Sequence, residues 1–132
     1  MPGLPVSLAT GSIGSDAVAA FAAASLDLNP VHLSEAAARR AGFSGPVLHG
    51  MFLAARLETF LERIPGARIL AFSVRFVAPA LLGCSITLSA RLLGQDGHVL
   101  HLRLLATSEE GKILAVAEAR VLCASHPAQQ EG

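Results

Sequence analysis

One short segment concentrates the residue types that carry acid–base chemistry. Residues 27–32 read Asp-Leu-Asn-Pro-Val-His, so a carboxylate, an amide and an imidazole lie within six positions. Pro30 fixes its own φ and disfavours the α region for Asn29, which gives the segment a defined shape. An imidazole beside a carboxylate can exchange protons in both directions near neutral pH. The segment therefore predicts a general acid–base pair, Asp27 and His32.

A second segment places a glycine at the start of a predicted helix. Residues 49–52 read His-Gly-Met-Phe. The backbone N–H of Gly50 lies at the positive end of the helix dipole, and no side chain keeps a ligand away from it. Such a donor stabilises a thioester oxygen that becomes an enolate. The side chain of His49 is expected to point away, while Leu28, Met51 and Phe52 are expected to line an apolar pocket.

Helical signals dominate the first half of the chain. Ser15 is placed to cap a helix over residues 16–24, and Ser34 to cap a shorter helix that Gly42 ends. Apolar residues then recur every three or four positions from His49 to Ile64, which predicts a long, half-buried helix. Pro65-Gly66 stops it.

Strand signals follow in the second half. Alternating apolar and polar residues cover 72–76, 86–91 and 100–104, with turn signals at 94–97 and 109–112. Helices first and antiparallel strands afterwards indicate an α+β domain with the long helix against the sheet. We expect one domain over residues 1–124 and a disordered tail over 125–132.

Composition narrows the classes of function. Lys plus Arg and Asp plus Glu balance at ten each, which argues against nucleic-acid binding. No apolar run is long enough to cross a membrane, and the first ten residues do not resemble a secretory signal, so a cytoplasmic location is expected. Apolar residues make up 52% of the chain and charged residues 15%, a surplus that predicts an oligomer.

Taken together, Asp-x-Asn-Pro-x-His, Gly42-Phe43 and His49-Gly50-Met51 leading a helix resemble the MaoC-like (R)-specific enoyl-CoA hydratases and 3-hydroxyacyl dehydratases. The resemblance implies a hotdog fold, in which an antiparallel sheet wraps around a central helix, and a homodimer. It implies a hydro-lyase in which Asp27 and His32 hold a water molecule, Gly50 supplies the oxyanion donor and Asn29 shapes the loop. Relatives often have glycine or an acid before the catalytic Asp, where this chain has Leu26.

No cofactor is expected beyond the substrate's own carrier, which is coenzyme A or acyl-carrier protein. Arg75 is the leading candidate for contacting the carrier's phosphates, because it projects from the polar face of the first strand after the helix. No metal is expected. The alternative metal site would use Asp27, His32 and His49, but no compact His or Cys cluster supports it.

Two other functions remain open at this point. A hotdog thioesterase would use similar architecture to attack the thioester carbonyl, and a catalytically silent acyl-CoA binding subunit would support a second, active chain. The Asp-x-Asn-Pro-x-His pattern argues against the first, and the intact Asp27 and His32 argue against the second. Cys84 and Cys123 are expected to be buried small hydrophobes without a role.

Overall fold

The computed structural model of the chain describes residues 7–27 and 29–123, with backbone alone for residues 7–12. Within these residues, three α-helices and five β-strands form along the chain. The helices are α1 (Ser15–Ser25), α2 (Glu35–Arg40) and α3 (Gly50–Leu61), and a short 3₁₀ helix covers Pro30–His32. The strands are β1 (Ser7–Ser12), β2 (Arg68–Phe76), β3 (Ser85–Asp96), β4 (Val99–Ser108) and β5 (Ile113–Leu122).

The five strands form one antiparallel sheet in the order β1-β3-β4-β5-β2. Consecutive hairpins join β3 to β4 and β4 to β5. The first turn lies at Gly97 and His98, because residues 94–96 continue β3 instead of turning as the sequence predicted. Gly97 has a φ of 62°, which glycine adopts without steric cost.

The core lies between α3 and one face of this sheet. Alternating residues of β4, Leu100, Leu102 and Leu104, are buried on that face. From α3 come five large buried side chains: Phe52, Leu53, Leu57, Phe60 and Leu61. Burying each contributes about 1.5–3 kcal/mol, so α3 is fixed mainly by apolar packing. The helix thus provides a rigid support for the residues at its N-terminus.

The structure confirms the α+β class and corrects the sequence-based prediction in several places. β1 precedes the helices and pairs with β3, although no strand was expected there. Gly14 is the N-cap of α1 and Ser15 is already helical, so the predicted cap was wrong. The helix α3 ends at Leu61, with Glu62 as C-cap, and Ile64 is buried in the following turn.

The prediction for α2 is confirmed in detail. The hydroxyl of Ser34 accepts a hydrogen bond from Ala37 N–H at 3.2 Å, and Glu35 pairs with Arg39 at 2.7 Å. Gly42 follows the helix with a φ of 96°. The predicted disordered tail, 125–132, and the domain boundary at 124 lie outside the described residues. Over the described residues, no helix is both long and apolar enough to cross a lipid bilayer.

Candidate active site

Local hydrogen bonds shape the loop that carries Asp27 and His32. The carboxylate of Asp27 accepts from Asn29 N–H at 3.4 Å, and the side chain of Asn29 accepts from Val31 N–H at 3.1 Å. Asn29 thereby caps the 3₁₀ helix, whose first residue is Pro30. These bonds fix the backbone on both sides of Asn29, between Asp27 and Val31.

The ring of His32 is held in one orientation and one tautomer. Its Nδ1 lies 2.8 Å from the backbone oxygen of Val47. Because a carbonyl oxygen only accepts, Nδ1 carries the proton, and in the neutral ring Nε2 keeps a free lone pair. That nitrogen lies 3.6 Å from Asp27 Oδ2. The sequence-predicted pair is therefore brought together in space.

The separation of 3.6 Å leaves a place for a third group. It is too long for a direct hydrogen bond, and an ionised carboxylate and a neutral Nε2 are both acceptors. A water molecule can donate one proton to each and so bridge them. The side chain of Asp27 is 53% exposed and that of His32 is 12% exposed, so solvent reaches the pair while His32 stays anchored.

His49 lies next to the pair. Its side chain points toward the pair, whereas the sequence predicted that it would point away. It is the N-cap of α3 and is 1% exposed. Its Nε2 lies 3.0 Å from the backbone oxygen of Asp27, and its ring stacks on that of His32 with centroids 3.7 Å apart. Phe21 packs edge-to-face against His49, with ring centroids 5.0 Å apart.

Gly50, the first residue of α3, presents its backbone N–H without a hydrogen-bond partner among the described residues. A Cβ at this position would lie 3.1 Å from the ring of Phe76, so the glycine permits close approach of that ring. A cavity of about 340 Å³ adjoins Gly50. Its lining residues are apolar and lie at or just before the start of α3 and at or just after the end of β2: Leu48, Leu53, Phe76 and residues 77–80.

The other predicted binding residues occupy different places. Met51 is 62% exposed, and Phe52 is buried with its ring 5.2 Å from that of Phe21, so neither lines the cavity beside Gly50. Leu28 lies outside the described residues. Arg75 projects from the face of the sheet that lies away from α3, where it lines a groove of about 920 Å³ with Arg91 and Arg103.

The alternative metal site has suitable ligand atoms, but the lone pairs of its two imidazoles are not oriented to bind one ion. One ligand atom each from Asp27, His32 and His49 lie within 4.8 Å of one another. The two imidazole rings are stacked with centroids 3.7 Å apart and planes only 21° apart, so their in-plane lone pairs lie in separate, nearly parallel planes and do not converge on one point. In addition, His49 Nε2 already donates its proton to the oxygen of Asp27. The site is better suited to holding water than to chelating an ion.

The two cysteines do not add a nucleophile. Cys84 lies just before β3 and is only partly buried, so the prediction of a buried residue was wrong there, whereas Cys123 lies just after β5 and is buried. Burial raises the pKa of both thiols, which keeps them protonated and unreactive at neutral pH.

Comparison with known proteins agrees with this architecture. The sequence matches the model of the MaoC like domain over residues 2–107. It is 34% identical over 113 residues to the (R)-specific enoyl-CoA hydratase of Aeromonas caviae, which covers 82% of this chain and 84% of that protein. The structure of an (R)-hydratase from A. caviae involved in PHA biosynthesis superposes with a TM-score of 0.81 at 31% identity, covering 92% of this chain and 95% of that one.

A larger protein contains a similar segment. The chain is 32% identical over 107 residues to the fatty acid synthase beta subunit TOXC of Cochliobolus carbonum, which is 77% of this chain and 5% of that protein. The fold is the hotdog type of α+β domain that the family resemblance implied. The chain belongs to the MaoC-like domain family.

Proposed function

We propose that the protein is a hydro-lyase that hydrates trans-2-enoyl thioesters to (R)-3-hydroxyacyl thioesters, or catalyses the reverse dehydration. The observation that carries the proposal is the pair of acceptors, Asp27 Oδ2 and His32 Nε2, which face each other at 3.6 Å. The bond from His32 Nδ1 to the oxygen of Val47 fixes which nitrogen faces the carboxylate. The similarity to an (R)-specific enoyl-CoA hydratase supports the same reaction class.

In this mechanism the pair acts on one bridging water. As the water oxygen bonds to the β-carbon, the water loses a proton to the pair, and the pair returns one proton to the α-carbon. The pair ends in its starting charge state, so the turnover needs no external acid or base. Dehydration runs through the same steps in reverse.

We assign the oxyanion donor to the backbone N–H of Gly50, which begins α3 and has no hydrogen-bond partner among the described residues. Attack at the β-carbon moves negative charge onto the thioester oxygen, and a free backbone N–H at a helix N-terminus stabilises that charge without reorganisation. The apolar cavity beside Gly50 offers space for the acyl chain. These groups suffice for the reaction, so we propose no metal and no cofactor beyond coenzyme A or the acyl-carrier protein.

The role of Arg75 in binding the carrier's phosphates stays a prediction. One groove is lined by Arg75, Arg91 and Arg103, of which Arg103 pairs with Glu118 at 3.6 Å in the same groove. Guanidinium groups bind phosphates well. The groove lies on the sheet face away from α3, however, whereas the catalytic pair lies at the start of α3. A severalfold increase in KM for the CoA thioester in Arg75→Ala, with kcat unchanged, supports this role; unchanged KM removes it.

We also propose a homodimer. β2 is an edge strand of the described sheet, and exposed apolar residues lie on it and just beyond it, among them Leu70, Phe76 and Val77. Unpaired edges and apolar patches are covered in stable soluble proteins. Analytical ultracentrifugation at micromolar concentration should show a dimer; a stable monomer contradicts this part of the proposal.

The function is tested with purified protein and crotonyl-CoA. Absorbance of the enoyl thioester should fall, and chiral chromatography should find the (R)-3-hydroxy product. Release of free thiol without hydration indicates the thioesterase alternative. Binding of the thioester with neither reaction indicates the silent-subunit alternative.

A further inference from the structure

His49 is a buried polar residue that the proposed proton transfers do not use. Its Nε2 lies 3.0 Å from the backbone oxygen of Asp27 and 4.0 Å from Asp27 Oδ2, and its ring stacks on that of His32 with centroids 3.7 Å apart. Because the carbonyl of Asp27 only accepts, Nε2 carries the proton. In the neutral ring, Nδ1 is then a bare acceptor, and it is buried without a hydrogen-bond partner among the described residues.

Stability alone does not favour a histidine at this position. An unpaired buried acceptor is unfavourable, and the surroundings of the ring include Phe21 on one side and His32 on the other. A phenylalanine would fill a similar volume and remove the unpaired Nδ1, but it would also remove the donor to the backbone oxygen of Asp27. The feature that a phenylalanine lacks is the N–H that reaches Asp27.

The N–H of His49 links the exposed residue Asp27 to the start of the buried helix α3. Asp27 follows Leu26, which has a left-handed φ of 61° and ends α1, and the Asp27 N–H lies 3.3 Å from Ser25 Oγ. His49, in contrast, is the N-cap of the well-packed helix α3 and directly precedes Gly50. The bond from His49 to the oxygen of Asp27 therefore joins the carboxylate to the helix that presents the oxyanion donor.

We propose that His49 is a positioning residue that sets the place of Asp27 relative to His32 and Gly50, through its Nε2–H bond to the Asp27 backbone. This inference rests on the proposed hydratase function. His32 has its own anchor at Val47, so loss of the His49 bond displaces the carboxylate alone. The bridging water then loses its bond to Asp27, while the apolar cavity beside Gly50 stays unchanged.

Two substitutions separate the donor from the ring. His49→Phe keeps an aromatic ring for stacking and removes the donor. His49→Gln removes the ring and keeps an N–H at a similar distance from the backbone. With crotonyl-CoA, His49→Phe should lower kcat by about 100-fold, the scale of a misplacement of about 1 Å, while KM stays within about twofold because uniform binding is untouched. His49→Gln should restore most of the lost kcat.

A third comparison tests whether His49 acts through Asp27. In the Asp27→Asn background, adding His49→Phe should cause little further loss, because residues that act as a unit are not additive. If the two substitutions acted independently, their separate losses in kcat would multiply in the double variant, and the proposal would be overturned. A folded His49→Phe protein with the parent's kcat also overturns the proposal. This result can be obtained even if His49→Gln does not fold.

An activity-independent measurement separates this inference from the proposed function. If the parent protein hydrates no enoyl thioester, the function fails, but the tether can still be examined by amide hydrogen exchange. The Asn29 and Val31 amides, which are bonded within the loop, should exchange faster in His49→Phe than in the parent. Unchanged exchange means that His49 does not hold the loop.

Discussion

The loop that carries the proposed catalytic pair, residues 27 and 29–32, and the helix α3 are held by different forces. Large apolar side chains fix α3 against the sheet, whereas the loop is exposed and shaped by side-chain-to-backbone hydrogen bonds of Ser25, Asp27 and Asn29. Bonds that involve Val47 and His49 join the two regions. The contrast shows how the chain keeps its acid–base groups open to water while it aligns them on a rigid support.

The largest effect should follow from removing the acid–base groups of the loop. Asp27→Asn and His32→Ala should each lower kcat by about 100- to 10,000-fold. Asp27→Asn should change the melting temperature little, because the Asp27 side chain is 53% exposed, whereas His32→Ala should lower it, because it removes the stacking on His49 and the bond to Val47. The double variant should be little worse than the poorer single one. Glu35→Gln, an exposed acid in α2, is the matched control and should keep full activity. Near-normal turnover in both single variants contradicts the assigned mechanism.

A substitution in α3 should give the opposite result. Leu57→Ala removes a fully buried side chain and should lower the free energy of unfolding by about 2–5 kcal/mol. The folded fraction should retain most of its kcat, because Leu57 does not contact the site. Urea denaturation measures the loss, and Glu58→Ala, an exposed neighbour, serves as control. If Leu57→Ala cost less than Glu58→Ala, apolar packing would not be what fixes α3.

Gly50→Ala probes the junction between the two regions. The added Cβ would lie 3.1 Å from the ring of Phe76, so the ring or the start of α3 must move. We expect kcat to fall by about 10- to 100-fold, the scale of a displaced donor. Because Phe76 is partly exposed, Gly50→Ala combined with Phe76→Leu should recover part of the loss. An equal or greater loss in the double variant would show that crowding at Phe76 is not the cause.

The smallest effect concerns the strained residue before the loop. Leu26 has a φ of 61° and is 82% exposed, so its side chain contributes little packing while its Cβ disfavours the left-handed conformation. Leu26→Gly should raise the free energy of unfolding by up to about 1 kcal/mol, after the greater freedom of glycine in the unfolded chain is subtracted. Leu26→Ala keeps the Cβ and should give no gain. Equal stability of the two variants would contradict the account.

Elements defined by local signals could be predicted from the sequence. The interactions that specify α2, at Ser34, Glu35 and Arg39, all span four residues or fewer. The pair Asp27 and His32 also lies within one short segment, and Pro30 constrains the path between them. Short-range sequence patterns therefore predicted both α2 and the proximity of Asp27 and His32.

Features that depend on distant partners could not be predicted. β1 forms by pairing with β3, far along the chain, and its own residues show no strong alternation. The contact of His49 with Asp27 joins residues 22 positions apart, and the side-chain direction of an N-cap residue depends on packing. The approach of Phe76 to Gly50 likewise needs β2 placed beside α3.

In the proposed mechanism, one pair of side chains, on one face of the substrate, handles both the water and the proton. The most direct test is hydration of crotonyl-CoA in D₂O, with the product's stereochemistry read by NMR. The account predicts one deuterium per product at the α-carbon, on the same face as the new hydroxyl, with the R configuration at the β-carbon. Deuterium on the opposite face, or a mixture of faces, contradicts it.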